Sequence, residues 1–246
     1  MRFLPLAFVL VAVVIAVVTL TKEAPAPTVL AQYATPLTNR QGNQRQNAIL
    51  ALKQLEGIEI LPGGEFSFND TVGGWSRDKG YRRAPVSFGG TLVDAWGGGV
   101  CQTSTTLYNA AILAGLEVVE RHKHHYAPDY VPAGRDAAVA FPNIDLRFRN
   151  PFDTPLTIRT KVTDTSLIIE IVGAARSDVD VEIVQRVVDM TRPSEFVIGS
   201  GRFGRVRNPG HAGYEVETYR IIGGEKELLS VDNYPVMHKI IEYRSK

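Results

Sequence analysis

The residues best placed to do chemistry lie around the only cysteine of the chain, Cys101, in the run Trp-Gly-Gly-Gly-Val-Cys-Gln-Thr-Ser-Thr-Thr-Leu-Tyr from Trp96 to Tyr108. The run predicts a glycine turn feeding a helix, with the thiol in the first helical turn. Unpaired backbone N–H groups and the positive end of the helix dipole stabilise a thiolate there, so such a cysteine can act as a nucleophile. Gly97, Gly98 and Gly99 can adopt positive φ and carry no Cβ, which allows close approach to the sulfur. The alternative is a small packing cysteine in a tight loop. Further along lie His122, His124 and Asp136. A thiol at a helix start, an imidazole on a following strand and a later carboxylate form the order of a thiol acyl-transfer site. The thiolate attacks an amide, the imidazole moves the proton and the acid orients the imidazole. Gln102 and the Cys101 N–H are candidates for binding the oxyanion.

Two other chemistries fit the same residues. Glu65 and Asp136 could flank a sugar as acid and base, which would make the protein a glycan-strand hydrolase or lytic transglycosylase with Cys101 under the cleft floor. Alternatively, Trp75, Trp96, Tyr81 and Tyr126 could line the groove of a non-catalytic binding or scaffold module, although each is also a natural core residue. His122 and His124 alternate on an expected strand and would share a face. With Cys101 they make three metal-ligand types but lack a second cysteine or a well-spaced fourth ligand, so neither metal nor other cofactor is expected. Arg135 beside Asp136 reads, taken alone, as a salt-bridged turn.

The elements that must position these residues can be sketched from periodicity. Ala48, Ile49, Leu52 and Leu55 fall at helical spacing from Asn43 onward, with Gly57 as a C-terminal cap. Leu107, Ala110, Ala111 and Leu113–Ala114 form the apolar face of the helix after Cys101, ended by Gly115. Short strands are expected at 58–61, 65–70, 116–121 and 145–149, and a hairpin at 156–162 and 166–172 around Thr163-Asp164-Thr165. Further β patterning runs through 179–188, 214–222 and 237–243. The fold class is therefore α+β, with a mixed or antiparallel sheet, two main helices early and a β-rich C-terminal half.

Phe3 to Leu20 is an unbroken apolar run. Its eighteen residues would reach about 27 Å as a helix, long for a signal-peptide core and close to the thickness of a bilayer. Residues 1–20 thus predict a signal anchor, or a signal peptide that is cleaved to secrete the protein; either places the remainder outside the cytoplasm. Residues 21–39, rich in Pro, Thr and Ala, read as a linker. The expected domain spans 40–160, and 161–246 form a β-rich extension. A net charge of +1 with interspersed signs argues against nucleic acid as partner. A single cysteine leaves no intramolecular disulfide, so the core must supply stability.

In combination, GGEFSFNDTVGG, the GY-x-x-AP segment, GGGVCQTSTTLYNAAILAGLEVVERHKHH, VPAGRDAAV and DLRFRN resemble the VanW family, named after an accessory protein of B-type vancomycin-resistance clusters, over about residues 40–160. The resemblance implies an exported or membrane-anchored bacterial cell-envelope protein whose partner is peptidoglycan or a peptidoglycan precursor. It draws Arg135 and Asp136 toward a site role. The expected catalytic residues are then Cys101, His124 or His122, Asp136 and, for the glycan alternative, Glu65. Gln102, Arg135, Trp96 and Tyr81 are the expected substrate contacts.

Overall fold

The computed structural model describes residues 26–38, 40, 42–88, 91–174 and 180–244, so the apolar run of residues 1–20 lies outside the described residues. Among the described residues no helix is long and apolar enough to cross a membrane. In chain order the first unit comprises β1 (Pro27–Pro36), α1 (Gly42–Leu55), β2 (Glu59–Ile60), β3 (Glu65–Ser67), α2 (Phe68–Val72), β4 (Arg83–Phe88), β5 (Thr91–Trp96), α3 (Val100–Leu113), β6 (Glu117–Glu120), β7 (Arg147–Arg149), β8 (Leu156–Val162) and β9 (Ser166–Ala174). β10 (Val181–Thr191), β11 (Glu195–Ile198), β12 (Phe203–Asn208), β13 (Gly213–Ile222), β14 (Glu225–Tyr234) and β15 (Lys239–Arg244) follow. The class is α+β, as the sequence predicts.

The strands form several small sheets. β1-β9-β8-β2 is antiparallel throughout, as are β3-β7-β6, the β4-β5 ribbon and β10-β13-β14, whereas β15 pairs parallel with β11 and antiparallel with β12. Three sequence expectations need correction. Residues 68–70, read with 65–67 as one strand, open helix α2, whose start Ser67 caps by accepting the Asp70 N–H. Residues 27–36, read as linker, form an edge strand along β9 with Leu37 buried just beyond it; the Pro-rich composition masked the spaced β-formers Val29, Tyr33 and Thr35. The boundary placed at residue 160 cuts through β8 and puts β9 in the extension, whereas both strands share a sheet with β1 and β2 and belong to the first unit.

α1 lays Ala48, Ala51, Leu52 and Leu55 against α3, whose Leu107, Ala110, Ala111 and Ile112 also meet Leu167, Ile169 and Ile171 of β9. Each helix ends at a residue the sequence marks, with Gly57 and Gly115 both at positive φ just past the last turn. α3 is buried on nearly every side, polar residues included. A buried hydroxyl or amide without a partner costs about 1–3 kcal/mol, so each must be satisfied. Thr103 donates to the Ala48 carbonyl at 2.8 Å, which ties α3 to α1. Thr106 shares a 2.8 Å hydrogen bond with Thr35 of β1. Ser104 donates to the Ala137 carbonyl at 2.7 Å, Thr105 accepts the Ala137 N–H at 3.0 Å, and Asn109 donates to the Arg135 carbonyl at 2.7 Å. The Thr/Ser cluster therefore docks the 135–137 segment onto the helix that carries the cysteine.

Candidate functional site

Cys101 is the second residue of α3, and Gly99 caps that helix in the left-handed region at φ 109°. A side chain at Gly99 would collide with the Gln44 carbonyl of α1, and one at Gly97 with the Trp75 indole. The glycines thus serve the close packing of the turn against α1 and Trp75, while Gly97 and Gly99 still border the cavity above the sulfur. As the second helical N–H, that of Cys101 has no intrahelical acceptor and is free to bind an oxyanion. The half-buried thiol donates to the Val139 carbonyl at 3.4 Å and shares the cavity wall with His124, which interacts with it electrostatically.

His124 follows β6 on an extended segment running beside residues 136–138. His122 pairs with Ala138 as an isolated bridge, the Ala138 N–H donating to the His122 carbonyl at 2.7 Å. The His124 ring places Nδ1 2.6 Å from Asp136 Oδ2, which leaves Nε2 for the thiol. Asp136 Oδ2 also accepts the His124 N–H at 2.7 Å. Asp136 Oδ1 accepts from the Tyr234 hydroxyl at 2.5 Å and from Arg121 at 3.1 Å. Arg121 is itself held by Asp232 through two contacts at 2.6 and 2.8 Å and by the Asp136 carbonyl at 2.7 Å. Cys101 and His124 therefore share one cavity wall, and Asp136 backs the imidazole, fully buried and with both oxygens occupied.

The electrostatics follow from this line. Burial works to raise the Cys101 thiol, but the hydrogen bond and charge of His124 prevail and hold it below the usual thiol range. Burial likewise works to lower His124, yet the Asp136 and Cys101 partners push it up to about 10. Asp136 sits below the ordinary carboxylate range, since the same imidazole and Arg121 outweigh its burial. The opposite signs of the two shifts move the pair in the direction of a thiolate beside an imidazolium. Tyr130 roofs the pair, its hydroxyl 3.4 Å from the Cys101 carbonyl, and burial raises its phenol so that it stays protonated.

A cavity of about 430 Å³ opens over the sulfur. Arg40, Cys101, His124, Tyr126 and Tyr130 line it, and Asn208, His211 and Met237 of the C-terminal unit close one side. A thiol and an imidazole in the wall of a small-ligand cavity, with a buried acid behind the imidazole, are the groups that covalent acyl chemistry requires. Comparison with known proteins gives this constellation its family. A model described as VanW-like protein matches residues 43–172, more than half of the chain. The chain belongs to the VanW-like family. It is similar to the uncharacterized protein YoaR of Bacillus subtilis (strain 168), 41% identical over 140 residues, covering 57% of this chain and 46% of YoaR. It is also similar to the vancomycin B-type resistance protein VanW of Enterococcus faecalis (strain ATCC 700802 / V583), 32% identical over 133 residues, covering 52% of this chain and 48% of that protein. The matched part thus spans about half the length of each of these relatives. No solved structure matches the chain.

Within this VanW-like unit the structure separates the expected site residues. Cys101, His124 and Asp136 converge. His122 does not join them: β6 stops at Glu120, the pleat is lost, and the His122 ring turns outward to Glu120 Oε1 at 2.9 Å. Glu65 does not face Asp136 across a cleft. Its oxygens lie 2.6 Å from Arg147 and from Arg149 on the β3-β7 ladder, and it borders a separate shallow pocket with Ser67 and Arg147. Gln102 lines the cavity, but its amide is consumed by the protein, donating to Thr35 at 3.0 Å and the Pro36 carbonyl at 2.7 Å and accepting from Arg40 at 2.7 Å. It is a brace for Arg40 and not a free oxyanion donor. Arg135 turns away to Asn109 Oδ1 at 2.6 Å and stacks over the Tyr33 ring. Tyr81 is buried in the core, and Trp96 stands at the end of β5 outside the lining. Sequence reasoning missed Arg121, Tyr234, Asp232, Tyr130 and Arg40. Tyr130 and Arg121 lie within the HKHHYAPDY neighbourhood of His124, but nothing local to Asp232 or Tyr234 points to an acid about a hundred residues earlier.

Proposed function

We propose that this VanW-like protein is a thiol-dependent acyl-transfer enzyme acting on amide bonds of peptidoglycan or its precursor, held at the outer face of the cytoplasmic membrane by its apolar N-terminal segment. The observation that carries this reading is that Cys101 and His124 line one cavity, with His124 Nδ1 2.6 Å from the buried carboxylate of Asp136. The name of the Enterococcus faecalis relative, a vancomycin resistance protein, supports the cell wall as the setting.

In the first half-reaction the Cys101 thiolate attacks the scissile carbonyl carbon and a C–S bond forms, while the Cys101 N–H stabilises the oxyanion. The His124 imidazolium donates its Nε2 proton to the amine nitrogen, the C–N bond breaks, and a thioester remains on the enzyme. An acceptor, water or a second amine, then attacks the thioester as His124 takes its proton, and the C–S bond breaks to restore the thiolate. Asp136 keeps the imidazole in the tautomer both steps need.

The test is incubation of the full-length, detergent-solubilised chain with stem peptides and muropeptides, followed by mass analysis of products and of the protein. Cleaved or exchanged amides and a transient acyl adduct on Cys101 are expected. Cys101→Ala abolishes both. Undiminished turnover by Cys101→Ala, or release of glycan fragments with intact stem peptides, overturns the reading.

A further inference from the structure

Arg40 is the permanent cation in the cavity wall beside the nucleophile. Its side chain is only 17% exposed and is fixed from two directions. Nε donates to Gln102 Oε1 at 2.7 Å, and the guanidinium lies 4.5 Å over the Tyr130 ring. Gln102 in turn is clamped by Thr35 and Pro36, so the brace does not yield. Tyr130 also reaches the Cys101 carbonyl, which couples the Arg40 platform directly to the nucleophile turn.

The other edge of the fork is uncommitted. Among the described residues, neither terminal nitrogen of Arg40 makes a hydrogen bond, and its one ionic neighbour, Asp129, stands 3.7 Å away with 60% of its side chain exposed. A loosely held, solvated aspartate marks where a carboxylate can sit, and at that separation it gains little from staying. The edge formed by the two terminal nitrogens of a guanidinium matches a carboxylate through two parallel N–H···O bonds. A dianionic phosphate suits the site less well, because the one free edge of the guanidinium pairs with a single two-oxygen anion.

We infer that Arg40 is a substrate-recognition residue that binds a free carboxylate of the peptide whose amide Cys101 attacks, displacing Asp129 as it does so. This rests on the reading of Cys101 as nucleophile. The cavity is of small-ligand size, so the carboxylate and the scissile amide belong to one short bound segment. The source of the carboxylate is either the C-terminus of the peptide or a side chain close to the scissile bond.

The experiment uses the full-length chain with three probes: a stem tetrapeptide, the same peptide amidated at its C-terminus, and the same peptide amidated on its side-chain carboxylates. Wild type loses about tenfold or more in kcat/KM for one of the two amidated forms, mostly through KM, and which form it is identifies the source. In Arg40→Gln the ratio between acid and amide falls to near one. Arg40→Lys, which keeps the charge without the fork, restores part of it. A wild type indifferent to both amidations, or an Arg40→Gln variant that keeps the full preference, overturns the assignment while leaving the Cys101 chemistry intact. Equilibrium binding of the three probes to Cys101→Ala reads the same preference without turnover, so it stands apart from any failure of the acyl-transfer reading.

Discussion

The VanW-like unit and the strands that follow it divide the site unequally. Residues up to β9 carry a continuous core from α1 through α3 to β8 and β9, and they supply the thiol, the imidazole and the acid. The β10–β15 region is thin, with Phe196, Val197, Phe203 and Val206 all more than half exposed. Yet its β14 strand sends Tyr234 inward to Asp136 and Asp232 to Arg121, which holds the same carboxylate, and Asn208, His211 and Met237 wall the cavity. The thiol, imidazole and carboxylate come from the well-packed unit, while part of their fixation is delegated to the less packed one. A buried carboxylate needs more donors than its own loop provides, and the second unit supplies them.

Removing the acid's charge gives the largest break in this division. Asp136→Asn is expected to cut kcat by about 10²–10⁴-fold, since the imidazole loses the partner that sets its tautomer. The pH profile moves as well. In wild type His124 stays protonated until about pH 10, so the alkaline limb of activity, lost as pH rises through that value, lies near 10. Without the Asp136 anion one of the two partners holding the imidazolium up is lost while burial still opposes it, so the limb moves to lower pH. Because thiol and imidazole titrate as a pair, the limb is read as a property of the pair. An unchanged alkaline limb in Asp136→Asn would detach the acid from the mechanism.

Smaller effects test the contribution of the second unit. Tyr234→Phe removes one donor to Asp136 Oδ1 and the acceptor that the Gly134 N–H reaches at 3.1 Å, with little change in volume. About a tenfold loss in kcat with KM nearly constant is expected, together with a loss of about 1–2 kcal/mol in stability. The sign of the pH effect is fixed by Asp136, whose carboxyl is depressed in the folded state. Its contribution is present above the unfolded pKa of about 3.9 and is lost as pH falls through the folded value. Weakening the donors raises that folded value, so acid unfolding of Tyr234→Phe begins at higher pH than in wild type. Asp232→Asn acts one step further away, through Arg121, and should give a smaller kcat loss in the same direction. If both variants lower Tm yet leave kcat and the pH profile untouched, the C-terminal strands support the fold alone.

The sequence made the reacting groups legible because their signals are local. A glycine turn ahead of a helix placed Cys101, and the histidine cluster and Gly134-Arg135-Asp136 lay within forty residues of it. Choosing His124 over His122 needed the end of β6, which periodicity carried past its last ladder pair. Tyr81, Trp96 and Arg135 carried ligand-binding chemistry but were claimed by core, ribbon end and α3, since a side-chain type says nothing about which way its backbone turns. β1 was hidden because pairing along β9, a contact across more than a hundred residues, makes a strand of a segment whose composition resembles a linker. Asp232 and Tyr234 were illegible for the same reason, being useful only once β14 is laid beside the 134–136 turn.

The smallest effect concerns the second carboxylate, Glu65, and contrasts an exposed acid with the buried one. Glu65 and Asp136 both sit below the ordinary carboxylate range, but for different causes: the Arg149 hydrogen bond and the Arg147 charge at the surface for Glu65, and the imidazole and Arg121, acting against burial, for Asp136. A solvated ion pair gains little because water and salt compete with both arginines, whereas the Asp136 cluster has no such competitor. Glu65→Gln is therefore expected to leave kcat, KM and the alkaline limb where they are, with any change in Tm vanishing at high ionic strength. Measured beside Asp136→Asn on the same muropeptide mixture, this pair of variants separates the two chemistries the sequence allowed. Parallel losses in both would restore a paired-carboxylate glycan mechanism, and loss in Asp136→Asn alone keeps the reaction at the thiol.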